Sequence, residues 1–142
     1  LYLVIGPRER PEKMYTKLIA CAFNDQAFPL YKGSATHLRS FTYVGDIVDG
    51  IVSIIDKEHA VDGEIINLGT EVEHTTQEGI EAVESVIGKS IKIAHVEARA
   101  GDQLRTKANI DKAKKLLAYN PQTTLLDGVK KQVEWYKAHF LK

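Results

Sequence analysis

Strand-type and helix-type segments alternate along these 142 residues, and that alternation predicts an α/β fold. Three observations carry the prediction. Short runs rich in β-branched and aromatic residues, such as Phe41-Thr42-Tyr43-Val44, have the composition of strands. Longer segments between them place apolar residues three and four apart, the spacing of one helix face. Two of those segments open with a helix-start signature, Thr75 with Glu78 and Thr124 with Asp127.

Taken in order, the chain opens in an apolar run, Leu1-Tyr2-Leu3-Val4-Ile5, that reads as a strand and ends at Gly6-Pro7. No turn or cap precedes it and the first residue is not Met, so the chain is expected to be a piece of something longer. Pro11 stands where a first helical residue belongs, and Met14, Leu18 and Ala22 follow at four-residue steps, which predicts a helix of about three turns. Phe28-Pro29-Leu30-Tyr31 is extended, and residues 41–44 form a strand. Asp46 is expected to cap a helix whose buried face is Ile47, Ile51, Ile54 and Ile55. Asp62-Gly63 turns into a strand over 64–68, closed by Gly69.

The capping box at Thr75 starts a helix on Ile80, Val83 and Ile87, with Gly88 as its C-terminal cap. Ile91-Lys92-Ile93 alternates like an edge strand. Residues 97–108 are polar and irregular. Ile110, Ala113, Leu116 and Leu117 mark a short helix that stops before Asn120-Pro121. The second box, Thr124 with Asp127, opens a last helix on Leu125, Val129, Val133, Tyr136 and Phe140. With no repeat, low-complexity stretch or linker, residues 1–142 read as one domain.

Composition narrows the function. Lys plus Arg (19) equals Asp plus Glu (19), which argues against a nucleic-acid binder or a polybasic membrane-surface protein. The single cysteine, Cys21, excludes a disulfide framework and fits a reducing compartment, so a cytoplasmic location is expected. No apolar run approaches the roughly 18 residues that span a bilayer.

Catalytic motifs are missing. No two of the ten glycines are closer than five positions, so the chain has no G-x-G-x-x-G turn for a dinucleotide pyrophosphate. Gly45 and Gly50 have P-loop spacing, but Ile51 stands where lysine is required. The five histidines form no H-x-x-x-H pair, no G-x-S-x-G elbow is present, and no tyrosine has lysine four residues later. What remains are arginines in polar loops: Arg8 and Arg10 before Pro11, Arg39 before Phe41, and Arg99, Asp102 and Arg105 around Gly101. An arginine fork suits phosphate oxygens, so converging loops would make a diphosphate pocket. The plain alternative is solvated surface arginines with casual carboxylate partners.

Four segments bear on that choice: residues 6–11 (Gly-Pro-Arg-Glu-Arg-Pro), 39–46 (Arg-Ser-Phe-Thr-Tyr-Val-Gly-Asp), Gly101-Asp102 with Thr106, and 117–121 (Leu-Ala-Tyr-Asn-Pro) leading to Leu125, Gly128 and Trp135. In this order and spacing the chain resembles, over nearly its whole length, the C-terminal half of the NAD-dependent epimerase/dehydratase family. These are the extended short-chain dehydrogenases that act on nucleotide sugars. The opening motif looks most like UDP-glucuronate 4-epimerases. The resemblance implies an α/β, Rossmann-type fold without the N-terminal half that carries the NAD turn and the Tyr-x-x-x-Lys pair. NAD is thus implied as cofactor with its binding half absent, the chain alone is expected to be inactive, and no catalytic residue is assigned to it.

By the same resemblance, Arg39 matches an arginine on the diphosphate, and Arg99 with Asp102 match an Arg/Asp pair on phosphate and ribose. Tyr31 matches a position beside the base, Arg10 a sugar-side arginine and Lys17 a basic position on the following helix. Strand packing explains Tyr31 equally well, and a solvated helix lysine explains Lys17. The chain departs from the family pattern at Leu3, usually Thr or Asn, at Ser40, usually Asp, at Asn109, and at Lys32-Gly33-Ser34 in place of Gly-Asp-Gly. The expected partner is a nucleotide-diphosphate sugar. A rival reading is a non-catalytic remnant or assembly module that self-associates through exposed sheet edges.

Overall fold

A computed structural model describes residues 3–141. The chain is α/β, as expected, with its strands gathered in three small sheets. β1 (Val4–Ile5) pairs in parallel with β4 (Thr42–Tyr43), Val4 opposite Thr42. β2 (Phe28–Tyr31) pairs in parallel with β6 (Ile93–Val96). β3 (Leu38–Arg39) lies between β5 (His74–Thr75), antiparallel to it, and β7 (Arg105–Thr106), parallel to it. The helices are α1 (Met14–Phe23), α2 (Val44–Val52), α3 (Glu58–Val61), α4 (Thr76–Ile87), α5 (Asp111–Leu117) and α6 (Leu125–Phe140). Among the described residues, no helix is long and apolar enough to cross a membrane.

Two apolar clusters hold these pieces. The larger joins α1, α4 and α6 to β1 and β2 through Leu18, Ile19, Ile80, Val83, Val129, Val133, Ile5 and Phe28. The smaller, Ile47, Leu68, Ile110, Ala113, Leu117 and Tyr119, sits where α2 meets α5. Each fully buried aliphatic side chain contributes about 1.5–3 kcal/mol. That burial holds together strands of which only β2 and β6, at four residues each, exceed two residues.

The capping expectation for α4 is met in full: Thr75 Oγ1 accepts from Glu78 N at 3.1 Å and Glu78 Oε2 accepts from Thr75 N at 2.5 Å. Gly88 closes the helix at φ 76°, a left-handed conformation that glycine adopts without strain. At α6 the second signature is half of a box. Thr124 Oγ1 accepts from Asp127 N, but its hydroxyl donates to Asp127 Oδ2 at 2.6 Å. Aspartate, one methylene shorter than glutamate, bonds the hydroxyl instead of reaching back to the cap amide.

Other expectations shift. The first helix begins at Met14, not Pro11; residues 11 and 12 are in a turn that Lys13 N–H closes on Arg10 O at 3.0 Å. Val44 already belongs to α2 and not to the strand before it. Asp46 does not cap α2. Its two carboxylate oxygens accept from Thr123 N at 3.1 Å and Thr123 Oγ1 at 2.9 Å, which ties α2 to the lead-in of α6. The inward face of α2 is Ile47 and Gly50, the partly buried Ile54 lies just beyond its end, and Ile51 and Ile55 face out. Ile51 faces out because Leu68 and Tyr119 close on Gly50 from the inward side, and beyond Val52 the α-helix gives way to a 3-10 turn, Ile55–Lys57. Residues 64–68 form no strand and belong to none of the three sheets; Leu68 packs inward while Ile65 is exposed. The strand expected at 91–93 runs two residues later, because Ile91 is buried and its N–H is taken by Glu84 Oε1 at 2.7 Å. Leu1 and Tyr2 of the opening run lie outside the described residues.

Gly79 shows how close α1 and α4 approach. A Cβ there would lie 2.6 Å from the Tyr15 hydroxyl and 2.9 Å from Met14 Cε, and Tyr15 is itself pinned edge-on to Phe41 with ring centroids 4.9 Å apart. Overpacking costs about 1–3 kcal/mol, against a helix-propensity gain of about 1 kcal/mol for Gly to Ala. Gly79→Ala is expected to lower the thermal midpoint, and Tyr15→Phe in that background to recover most of the loss, since the ring carbon beneath the hydroxyl stands 3.2 Å off. Additive effects in the double variant would count against this contact.

Candidate functional site

A cleft of about 870 Å³ opens between the loop after β1 and the segment before β7. The loop is shaped by Gly6 at φ 126°, where a Cβ would strike Val44 Cγ1 at 2.8 Å, and by a turn in which Glu9 N–H donates to Gly6 O at 3.2 Å. Arg8 within that turn is left-handed at φ 67°, an uncommon state for a residue with a Cβ.

A buried polar network holds the loop. Gln132, 1% exposed on the core face of α6, accepts from Gly6 N at 2.8 Å and donates through Nε2 to Glu9 Oε2 at 2.8 Å and Thr16 Oγ1 at 3.1 Å. Glu9 Oε2 also accepts from Thr16 N at 2.8 Å and Thr16 Oγ1 at 2.9 Å. Burial pushes the Glu9 carboxyl above its ordinary value, although the bonds from Gln132 and Thr16 favour the ionised form.

The far wall is built on β3 and the 99–103 turn. Arg39 donates through one terminal nitrogen to Leu38 O at 2.9 Å and through the other to Asp102 Oδ1 at 3.3 Å and to Gln103 O. His37 Nδ1 lies 3.1 Å from Asp102 Oδ2. With the carboxylate ionised and able only to accept, that nitrogen carries the hydrogen. The turn closes through Asp102 N–H on Arg99 O at 3.3 Å, with Gly101 at φ 76° supplying its left-handed position. Among the described residues, three of the five N–H groups of Arg39 are thus used.

Four of the six singled-out residues, Arg10, Arg39, Arg99 and Asp102, line this cleft, together with Arg8. Arg10 stands at its exposed lip, 3.1 Å from Glu12, and does not flank the helix start directly because α1 begins at Met14. Lys17 and Tyr31 do not line it: Lys17 is exposed on α1 and Tyr31 is exposed on β2. Arg105 turns away to a two-point pair with Glu73, both contacts at 2.6 Å. Sequence reasoning missed Glu9, Gln132 and His37. Gln132 did carry a signal, a polar residue on the Leu125–Val129–Val133 stripe. His37 carried none, because its partner is 65 positions away. Among the described residues, no group of three or more His, Cys, Asp or Glu is placed to hold a metal ion.

Eight residues, 6–13, separate β1 from α1, and the Gly6 amide within them is bonded to Gln132. No helix N-terminus follows a strand through closely spaced glycines.

A group whose folded value is raised loses folded-state stability as pH climbs through that value, because ionisation is then harder in the folded chain than in the unfolded one. Below the ordinary carboxylate range both states are protonated at Glu9 and the contribution is full. Thermal midpoints of the native chain and Glu9→Gln, measured from acid to neutral pH, are therefore expected to diverge in favour of the variant as pH rises. A difference that stays constant with pH would contradict this assignment.

Comparison with known proteins places this geometry. The GDP-mannose 4,6 dehydratase family model matches residues 4–132. A UDP-glucuronate 4-epimerase of Thermodesulfobacterium geofontis is 32% identical over 137 residues, 96% of this chain and 41% of that protein. The chain is likewise 31% identical to an uncharacterized UDP-glucose epimerase of Bacillus subtilis, over 94% of itself and 42% of the relative. Among solved structures, UDP-glucuronic acid 4-epimerase of Bacillus cereus, in complex with UDP-glucuronic acid and NAD, superposes with a TM-score of 0.90 at 30% identity. That match covers 98% of this chain and 44% of the other. The dTDP-glucose 4,6-dehydratase of Bacillus anthracis, in complex with NAD, superposes with a TM-score of 0.85 at 27% identity. The chain spans less than half the length of these relatives. With its whole fold and nearly its whole sequence accounted for in this way, the chain belongs to the GDP-mannose 4,6 dehydratase family and corresponds to the C-terminal part of the extended epimerase/dehydratase fold.

Proposed function

We propose that residues 1–142 form a nucleotide-sugar-binding unit whose cleft takes the diphosphate of a UDP-sugar-like ligand. The observation that carries this reading is the arrival of Arg10, Arg39 and Arg99 from separate segments at one cleft. A diphosphate spreads its charge over several oxygens, and each charge-assisted hydrogen bond contributes about 1.5–3 kcal/mol before solvent screening at the exposed lip reduces it. Asp102 repels phosphate but accepts well from sugar hydroxyls, so it suits a neighbouring ribose. The volume, about 870 Å³, is that of a small-molecule site. Relatives solved with UDP-glucuronic acid and NAD support the ligand class.

In a complete enzyme of this kind, the dinucleotide would exchange hydride with a sugar carbon. This chain's part is to bind and orient the nucleotide sugar so that the sugar meets a nicotinamide held elsewhere. Titration calorimetry of the chain with UDP and, separately, with NAD tests the reading. UDP is expected to bind and NAD not to, with Arg39→Ala weakening UDP about tenfold, or about 1.4 kcal/mol. No heat with UDP, or no effect of the substitution, would overturn it.

A second reading, an assembly module that pairs with another chain, is favoured by one surface. Val48, Ile51, Val52 and Ile55 stand exposed on and just after α2, and Ile65 is exposed in the unladdered 64–68 segment. Contiguous apolar exposure and unpaired backbone favour association. Light scattering is expected to show mass rising with concentration if this surface pairs copies of the chain; a constant monomer mass would argue against that reading.

A further inference from the structure

Building on the nucleotide-binding reading, we propose that His37 is a positioning residue of the cleft: its ring holds Asp102, and with it the 99–103 turn, opposite Arg39. The backbone of His37 is fixed from two sides, its N–H donating to Ser34 O at 3.0 Å and its carbonyl accepting from Thr76 N–H at 3.1 Å. The second bond uses an amide of the first turn of α4 that has no partner within the helix. The ring therefore starts from a rigid base, and its side chain is only 11% exposed.

From that base Nδ1 reaches one oxygen of Asp102, at 3.1 Å, while Arg39 reaches the other at 3.3 Å. One carboxylate is thus divided between two donors on the same stretch of chain. Among the described residues, nothing comparable anchors the rest of the turn. Residues 104–106 are laddered to β3 through Leu38 N–H on Leu104 O and Ser40 N–H on Thr106 O, but the hydrogen bonds of 99–103 outside the turn are the contacts of Asp102 and Gln103 with His37 and Arg39. Without His37, Asp102 would hang on Arg39 alone. The guanidinium would then bear the whole carboxylate, and both Arg99 and Asp102 would lose their fixed place across the cleft. The histidine acts through Asp102 and is not itself among the residues that line the cleft.

The test compares His37→Leu, which removes the donor, with His37→Asn, whose amide nitrogen takes the place of Nδ1. Amide hydrogen exchange reads the turn, and UDP titration reads the cleft, with Arg39→Ala as the control for the nucleotide reading. His37→Leu is expected to speed exchange at Asp102 about tenfold and weaken UDP by a similar factor. Exchange in α4 and α6 should stay unchanged, and His37→Asn should remain within about twofold of the native chain in both readouts. Unchanged exchange at Asp102 in His37→Leu would overturn the proposal. Faster exchange with unaltered UDP affinity would confine His37 to holding the loop and overturn its role in binding. A native chain that fails to bind UDP would overturn the nucleotide reading, and the exchange arm would then decide on its own whether the histidine holds the turn.

Discussion

The cleft depends on one buried polar junction. Gln132 on α6, Thr16 on α1 and Glu9 in the loop after β1 are bonded to one another, and Gln132 also takes the amide of Gly6. A glutamine on the core face of a helix would be costly if any of its groups were left unpaired, so this set has to be satisfied as a whole. Its satisfaction demands that the loop turn back at Gly6 and that Arg8 accept a left-handed backbone. The same turn brings Arg8 and Arg10 to the cleft. The aliphatic core supplies most of the burial, but this junction decides where the loop lies.

The opposite wall is organised on a different principle. There, few residues are buried and the order comes from charge. Asp102 draws together His37 and Arg39, and Arg39 also clamps the neighbouring carbonyl of Gln103. Asp102 is about a third exposed, so solvent partly screens these pairs, and the turn they hold, 99–103, is exposed throughout.

Much of the fold was legible. Both helix-start signatures, the Gly88 stop, the extended stretch at 28–31 and the apolar stripes of α4 and α6 follow from local rules, and the structure contains them. The misreadings share a cause. Asp46 has the composition of a cap but serves a residue 77 positions away. Residues 64–68 have the composition of a strand, yet a strand is defined by a partner that composition does not provide. Ile51 and Ile55 fit a helical face, yet which face is turned inward is set by Leu68 and Tyr119 pressing on Gly50.

The site divides the same way. From residues alone came the α/β class, the absence of a dinucleotide turn, and arginines stranded in polar loops; their order and spacing also pointed to the family. Those features are local or depend only on order along the chain. Whether the arginines meet, that Lys17 and Tyr31 stand apart from them, and that His37 and Gln132 belong to the site's support were decided by tertiary structure. These contacts join residues 63 to 126 positions apart, and closure over such distances is governed by the packing of the intervening helices, which no local pattern encodes.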